Sequence, residues 1–366
     1  MISNCYIHIP FCSKICSYCD FCKIYYNKEL VDKYLIALEK EIDLLYKNEV
    51  LESIYIGGGT PSCLTIDQLD KLFNILAKLK KSKNIEYTIE GNIESTTQEK
   101  LKLYKKYGIN RLSIGIETTI KKQLSFLNRE LSKENTKTII NMARKLGFNN
   151  INLDLMYALP NETIVDLDKD LNFLLSLNVE HISTYSLIIE EHTMLYNKDI
   201  KNISEDTDYK MYNYICKKLK DNNYIHYEIS NFSKKGYYSK HNTCYWDNKN
   251  YYGFGLGAAS YIKNKRINNT RSITQYINGN YIKEEETINI EDKIEYEIIL
   301  NLRKREGINL ISFNRKFHKS LKEIYNYNYL LEQGFITEKN NHLFITEDKW
   351  YISNEIITKI LENKNE

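Results

Sequence analysis

Hydrophobic positions along the chain fall into two periods. Short runs rich in Ile, Leu and Tyr, bounded by Gly, Pro or Asn, occur at Cys5–Ile9, Ser53–Ile56, Glu86–Ile89, Arg111–Ile116, Asn150–Leu155 and His181–Leu187. These predict strands. Between them the apolar residues recur every three or four positions, as in Val31, Leu35, Leu38, Ile42 and Leu45, or Leu69, Leu72, Phe73, Leu76 and Leu79. A third such stretch, Ile139, Ile140, Ala143 and Leu146, ends at Gly147, a residue suited to closing a helix. Parallel strands need long crossovers, so this alternation predicts a parallel α/β sheet or barrel. It repeats about six times, fewer than the eight units of a full barrel, and favours an open partial (β/α)6 barrel. A doubly wound sheet is the structural alternative.

The end of the chain changes character. Helical runs at Asp292–Lys304 and Phe313–Tyr325 precede Asn328–Gln333, Gly334 and two strand-like pieces, Phe335–Glu338 and Leu343–Thr346. Helix, helix, hairpin is the order of a winged helix, so a DNA-binding role must be weighed. From Glu291 to Glu366 there are 12 basic and 13 acidic residues, a net charge of −1, whereas a DNA reader needs a basic face. A packing or docking module is the expectation, with no nucleic-acid partner. The chain thus divides into a partial barrel over residues 1–235, a linking segment over 236–290, and a winged-helix-like domain over 291–366.

Composition adds exclusions. The 51 basic and 48 acidic residues leave a net charge of +3, which supplies no global field for nucleic acid or an anionic membrane. No run of 18 apolar residues exists, so no membrane span is expected. The start lacks a basic segment followed by a long apolar core, which points to the cytoplasm. In that compartment the eight cysteines are expected as thiols or metal ligands.

Three of them stand in register. Cys12, Cys16 and Cys19 form C-x3-C-x2-C directly after the first strand, with Cys22 three residues on. Zinc prefers four ligands, commonly as two separated pairs, and no second pair follows at that spacing. An ordinary iron–sulfur cluster also takes four protein ligands. Attachment of c-type haem needs C-x-x-C-H, and Lys23 follows Cys22. Three thiolates on a four-iron cluster leave one iron open to a small molecule. The place of the group agrees, since parallel α/β folds carry their sites at the C-terminal ends of strands. Cys5, Cys63, Cys216 and Cys244 have no partner spacing, and Cys22 is ambiguous as a ligand.

C-x3-C-x2-C after a first barrel strand, with Tyr18 just before Cys19, resembles the radical S-adenosylmethionine (SAM) superfamily. That resemblance implies a 4Fe-4S cluster on Cys12, Cys16 and Cys19, whose open iron chelates the amino and carboxylate groups of SAM. Further matches run in order along the chain. Gly57-Gly58-Gly59-Thr60-Pro61-Ser62 resembles the glycine-rich element that contacts the SAM amino group, and so implicates Gly58, Gly59 and Thr60. Glu90, at a strand end, suits a cationic amine or sulfonium. Arg129, in Asn128-Arg129-Glu130, offers a planar fork for a carboxylate. Asp154 suits ribose hydroxyls, and Tyr6 and Glu117 stand at positions that resemble SAM contacts. The family usually carries Gln where Glu117 stands, and its E-A-N-P-G is here Glu90-Gly91-Asn92-Ile93-Glu94.

The matches resemble the subgroup that contains oxygen-independent coproporphyrinogen III dehydrogenase and the related haem chaperones. Three features favour the chaperone branch. Phe21 stands where the dehydrogenase has a fourth Cys, only 11 residues precede Cys12, and His241-Asn242-Thr243-Cys244-Tyr245-Trp246 matches an HNxxYW motif associated with haem. An imidazole is a good axial ligand for haem iron, and Tyr245 and Trp246 could pack on a macrocycle. The resemblance therefore implies a chaperone that binds haem, with His241 as its ligand, and passes it to an acceptor protein. It also implies a flavodoxin or ferredoxin as electron donor and a homodimer. The enzyme alternative is oxidative decarboxylation of coproporphyrinogen III.

Overall fold

The structure is a computed structural model that describes residues 2–365. Met1 and Glu366, the outer limits of the first and last expected domains, lie outside the described residues. Six parallel strands form its centre: β1 (Asn4–Ile9), β2 (Leu51–Gly58), β3 (Lys81–Asn92), β4 (Arg111–Glu117), β5 (Ile151–Tyr157) and β6 (His181–Ser186). Helices Lys28–Leu45, Ile66–Leu76, Gln98–Lys106, Lys133–Lys145 and Ile164–Ser176 are the crossovers that parallel pairing demands. Their starts are set locally. Asn27, Thr65, Thr97, Ser132 and Thr163 each accept a backbone N–H of the first turn. Gly147 has φ +81 after the helix Lys133–Lys145, as its place in the sequence suggested.

The sheet then turns antiparallel on the far side of β6, where β7 (Ile225–Glu228) and β8 (Asn231–Ser233) follow in the order β6-β8-β7. On the other flank, β9 (Tyr251–Phe254) pairs parallel with β1, and β10 (Ala259–Ile262), β11 (Lys265–Asn269) and β12 (Ile282–Thr287) continue antiparallel. The 12-stranded sheet is open, with β7 and β12 at its edges. The segment 236–290, expected to link two regions, thus adds four strands to this one sheet. The doubly wound alternative fails on strand order, because β1 to β6 lie side by side in chain order without a reversal.

The aliphatic side chains of β1 to β6 pack against the helices. Ile7, Ile54, Ile56, Ile89, Leu112, Ile114, Leu153 and Ile182 are all buried there. The alternate residues face the concave side and are polar: Asn4, Tyr6 and His8 on β1, Ser53 and Tyr55 on β2, Glu86, Thr88 and Glu90 on β3. Arg111 and Ser113, Asn152 and Asp154, then His181 and Ser183 continue the ring.

The last part of the chain has its own core, from Ile298 to Ile360. Helix Ile290–Asn301 leads into β13 (Ile308–Asn309), which pairs with β15 (His342–Ile345) beside β14 (Ile336–Lys339). The run expected as one helix over Phe313–Tyr325 is two, Leu310–Phe317 and Leu321–Ile324. His318 at φ +56 closes the first and Ser320 caps the second. A terminal helix, Ser353–Glu362, completes this winged-helix-like module.

Candidate cluster and cofactor site

The cysteine loop begins where β1 ends. Phe11–Cys12 pairs with Ile24–Tyr25, so the loop leaves and returns at one place, with Ile24 N–H donating to the Pro10 carbonyl (2.7 Å) and Tyr26 N–H to that of Cys12 (2.9 Å). Other segments fix its outer turn. The Ser17 N–H reaches the Leu127 carbonyl (3.1 Å), the Asn128 amide reaches that of Ile15 (2.9 Å), and the Leu195 N–H reaches that of Ser17 (3.1 Å). His8 Nε2 is 2.7 Å from the Cys22 carbonyl, and Arg271 donates to that of Asp20 (3.0 Å).

Cys12, Cys16 and Cys19 line a cavity of about 430 Å³ at the C-terminal ends of the strands. Cys22 does not line it, and packs instead against Gly257. Burial pushes the Cys19 thiol up to about 11 and raises that of Cys12. A thiolate at either position therefore calls for a cationic partner such as a metal. Among the described residues no group of three His, Cys, Asp or Glu side chains converges on one ion position. A multi-iron cluster does not ask for that, because each thiolate binds its own iron.

The glycines at the end of β2 let the chain lie directly against this loop. Gly58 has φ +115, and a Cβ there would sit 2.6 Å from the His8 ring. A Cβ on Gly59 would be 2.9 Å from Cys12 Sγ. Thr60 Oγ1 is 3.5 Å from the same sulfur.

Carboxylates and one guanidinium complete the cavity. Tyr55 O–H donates to Glu90 Oε1 (2.7 Å) and the Gly58 N–H to Oε2 (3.0 Å). Burial pushes the Glu90 carboxyl up to about 7, which these two donors oppose. Arg129 Nη1 lies 3.6 Å from Glu117 Oε1, and Nη2 donates to the Gly115 carbonyl (2.8 Å). Burial likewise pushes Glu117 up to about 7, with Arg129 opposing. Glu117 has φ +60, a conformation strained for a residue with a side chain. Asp154 accepts from the Asn152 amide (2.8 Å), and burial raises its carboxyl. Phe21, Tyr185 and Ile188 border the mouth, 62%, 42% and 64% exposed.

Gly58, Gly59, Thr60, Glu90, Glu117, Arg129 and Asp154 therefore share one cavity with the three cysteines. Tyr6 does not line it. Its O–H bonds His8 Nδ1 (3.0 Å), and its ring lies over Tyr55, one layer further in. Tyr55, Ser113 and Tyr185 line the cavity without having been singled out by any motif, and Asn92, from the Glu90–Glu94 element, joins them. The signal for them was the alternation of polar residues along strands whose other face is aliphatic.

His241 departs furthest from its expected place. It is 1% exposed, on the short helix Lys240–Trp246, and lies under the barrel interior away from the cavity. Ser53 Oγ donates to Asn4 Oδ1 (2.7 Å), so it accepts the Nδ1 proton of His241 (2.9 Å). Nε2 then accepts the Tyr245 O–H (2.8 Å). No lone pair is left for iron. Both ring nitrogens, expected to face a haem, are engaged here because the helix covers the polar strand face. Burial lowers the His241 pKa to about 3, with the charge of Arg111 adding to it, which keeps the ring neutral.

The Radical SAM superfamily matches residues 6–174, and the HemN C-terminal domain matches residues 288–351. Heme chaperone HemW of Bacillus subtilis (strain 168) is 37% identical over 376 residues, covering 98% of this chain and 99% of its own length. The chain belongs to the HemW family of radical SAM proteins. Heme chaperone HemW of Lactococcus lactis is 34% identical, over 98% of this chain and 97% of that protein. A solved structure of coproporphyrinogen III oxidase (HemN) from Escherichia coli, described as a radical SAM enzyme, has a TM-score of 0.86 at 22% identity. It spans 98% of this chain and 89% of that one, so this chain and HemN share a fold. The superfamily implies a 4Fe-4S cluster and SAM, and three cavity-lining thiols beside a glycine cradle suit both. Among the described residues no helix is long and apolar enough to cross a membrane.

Proposed function

We propose that this chain is a haem chaperone built on a radical SAM fold. Cys12, Cys16 and Cys19 hold a 4Fe-4S cluster, and the cavity beside them holds SAM. The observation that carries the reading is the gathering of these thiols, the Gly58–Thr60 backbone, Glu90 and Arg129 on one cavity. Its relatives are named heme chaperones over nearly their whole length.

When reduced, a bound cluster of this kind supplies an electron that can cleave SAM. The chain's own residues bind and orient. The Arg129 fork addresses a carboxylate, and the neighbouring Glu117 limits how much negative charge it can accept. Glu90 addresses the amino group, and Asp154 the ribose hydroxyls. Gly58 and Gly59 let the ligand approach the backbone. At the mouth, the exposed Phe21 and Ile188 offer apolar contact to a flat macrocycle, with Lys14 and Lys23 nearby for its propionates. Haem ligation by His241 is no part of this reading, because both ring nitrogens are already bonded. The acceptor is a second protein, and the electron donor a flavodoxin or ferredoxin.

The test is anaerobic and uses the cluster-reconstituted chain. Haem titration is expected to give a saturable Soret shift, and coproporphyrinogen III with SAM and a strong reductant is expected to yield no protoporphyrinogen. Turnover to protoporphyrinogen, or the absence of any haem complex, overturns the proposal.

A further inference from the structure

His241, Tyr55 and Glu90 form a column from the bottom of the barrel to the cavity. The His241 ring is stacked against the Tyr55 ring, with centroids 5.0 Å apart and planes at 25°. Tyr55 carries its hydroxyl up to Glu90 Oε1 at 2.7 Å, and Glu90 is anchored by the Gly58 N–H on its other oxygen. His241 cannot shift, because three independent contacts hold it. Ser53 fixes Nδ1, Tyr245 fixes Nε2, and its backbone N–H donates to the buried Glu86 carboxylate at 3.0 Å. Glu86 also takes the Lys240 N–H (3.1 Å), so the first turn of the helix is pinned to β3.

We infer that His241 is a positioning residue for the cofactor cavity: its ring is the floor on which Tyr55 stands, and so sets where Glu90 presents its carboxylate. This rests on the reading of the cavity as a SAM site. Without the imidazole, Tyr55 has an empty volume beneath it. The ring can sink, and the hydrogen bond to Glu90 lengthens or breaks. Glu90 then loses one of its two donors and its fixed orientation. The effect on a cationic ligand group is the loss of one oriented charged contact, about tenfold in affinity.

This role and a haem-ligand role separate experimentally. SAM binding to the anaerobic, cluster-reconstituted full chain is measured by equilibrium dialysis, and haem binding by Soret titration, for wild type, His241→Ala, His241→Phe and Tyr55→Phe. A Phe at position 241 restores an aromatic floor but cannot ligate iron. His241→Ala is expected to bind SAM about tenfold more weakly with its haem titration unchanged. His241→Phe is expected to recover most of that loss. Tyr55→Phe keeps both rings in place and lacks only the hydroxyl on Glu90, so it is expected to match His241→Ala for SAM. It decides the matter should His241→Ala fold poorly. The inference is overturned if Tyr55→Phe or a folded His241→Ala binds SAM like wild type. It is also overturned if a folded His241→Phe binds SAM no better than His241→Ala. Failure of the wild-type chain to bind SAM would instead overturn the cavity reading on which the inference stands.

Discussion

The two ends of the barrel interior are built from the same residue types and behave differently. At the N-terminal ends of the strands most polar groups are turned toward one another, although Arg111 Nε and Thr88 Oγ1 have no partner. Asn152 Oδ1 meets His181 Nδ1 (2.6 Å), His181 Nε2 meets the Tyr227 hydroxyl (2.7 Å), and that hydroxyl accepts the Ser239 N–H (3.1 Å). Ser53, His241 and Tyr245 form a second closed chain. At the C-terminal ends, Glu90, Glu117, Asp154 and Arg129 surround open volume with capacity left over. A buried polar group is inexpensive when fully partnered and costly when not. The lower end is therefore structure, and the upper end is a site that a ligand completes.

The difference can be broken from above or below. The largest expected effect comes from the cysteines. Cys12→Ala, Cys16→Ala or Cys19→Ala should leave almost no iron and no cluster absorption after reconstitution, while Cys216→Ala, remote on a helix, should match wild type. Arg129→Ala comes next. It removes the guanidinium that faces the ligand carboxylate, and SAM affinity by equilibrium dialysis should fall about a hundredfold, with iron content unchanged. Tyr227→Phe probes the lower end. It strands His181 Nε2 and the Ser239 N–H, so urea unfolding should register about 1–3 kcal/mol of lost stability with SAM affinity near wild type. Reversal of these last two outcomes would erase the distinction between the ends.

The smallest effect is on pH dependence. Burial pushes Glu41 up to about 7 and Glu162 and Glu228 up to about 8, from an ordinary value of 4.5. The folded chain thus keeps protons that the unfolded chain has already shed. Their stabilising contribution is present at lower pH and fades as pH rises through the folded values. The thermal midpoint of the cluster-free chain should therefore be lower at about pH 8.5 than at about pH 7, and Glu41→Gln should flatten that slope.

The same contrast explains what could be read from the sequence. The β1 to β6 strands were legible because Ile and Leu alternate on their helix-facing side, although β2 and β3 run several residues beyond the aliphatic runs. Strands β9 to β12 carry Tyr, Lys, Asn and Glu with little apolar period, and pair through register with β1 and one another, so nothing local announced them. The cavity residues that sit in loops and strand ends, such as Gly58 and Arg129, were legible because chemistry there constrains residue type at fixed spacing. Tyr6 and His241 carried motif signals too, but a motif does not say which way a side chain faces. Both point into the packed interior, and only the fold reveals that Tyr55 and Ser53 occupy their polar atoms or their faces.

The most direct test of the upper end as a ligand site is the electron paramagnetic resonance spectrum of the reduced, reconstituted cluster, recorded before and after addition of SAM. A changed spectrum in wild type, and an unchanged one in Arg129→Ala at the same SAM concentration, is the expected result. Identical wild-type spectra with and without SAM would contradict it.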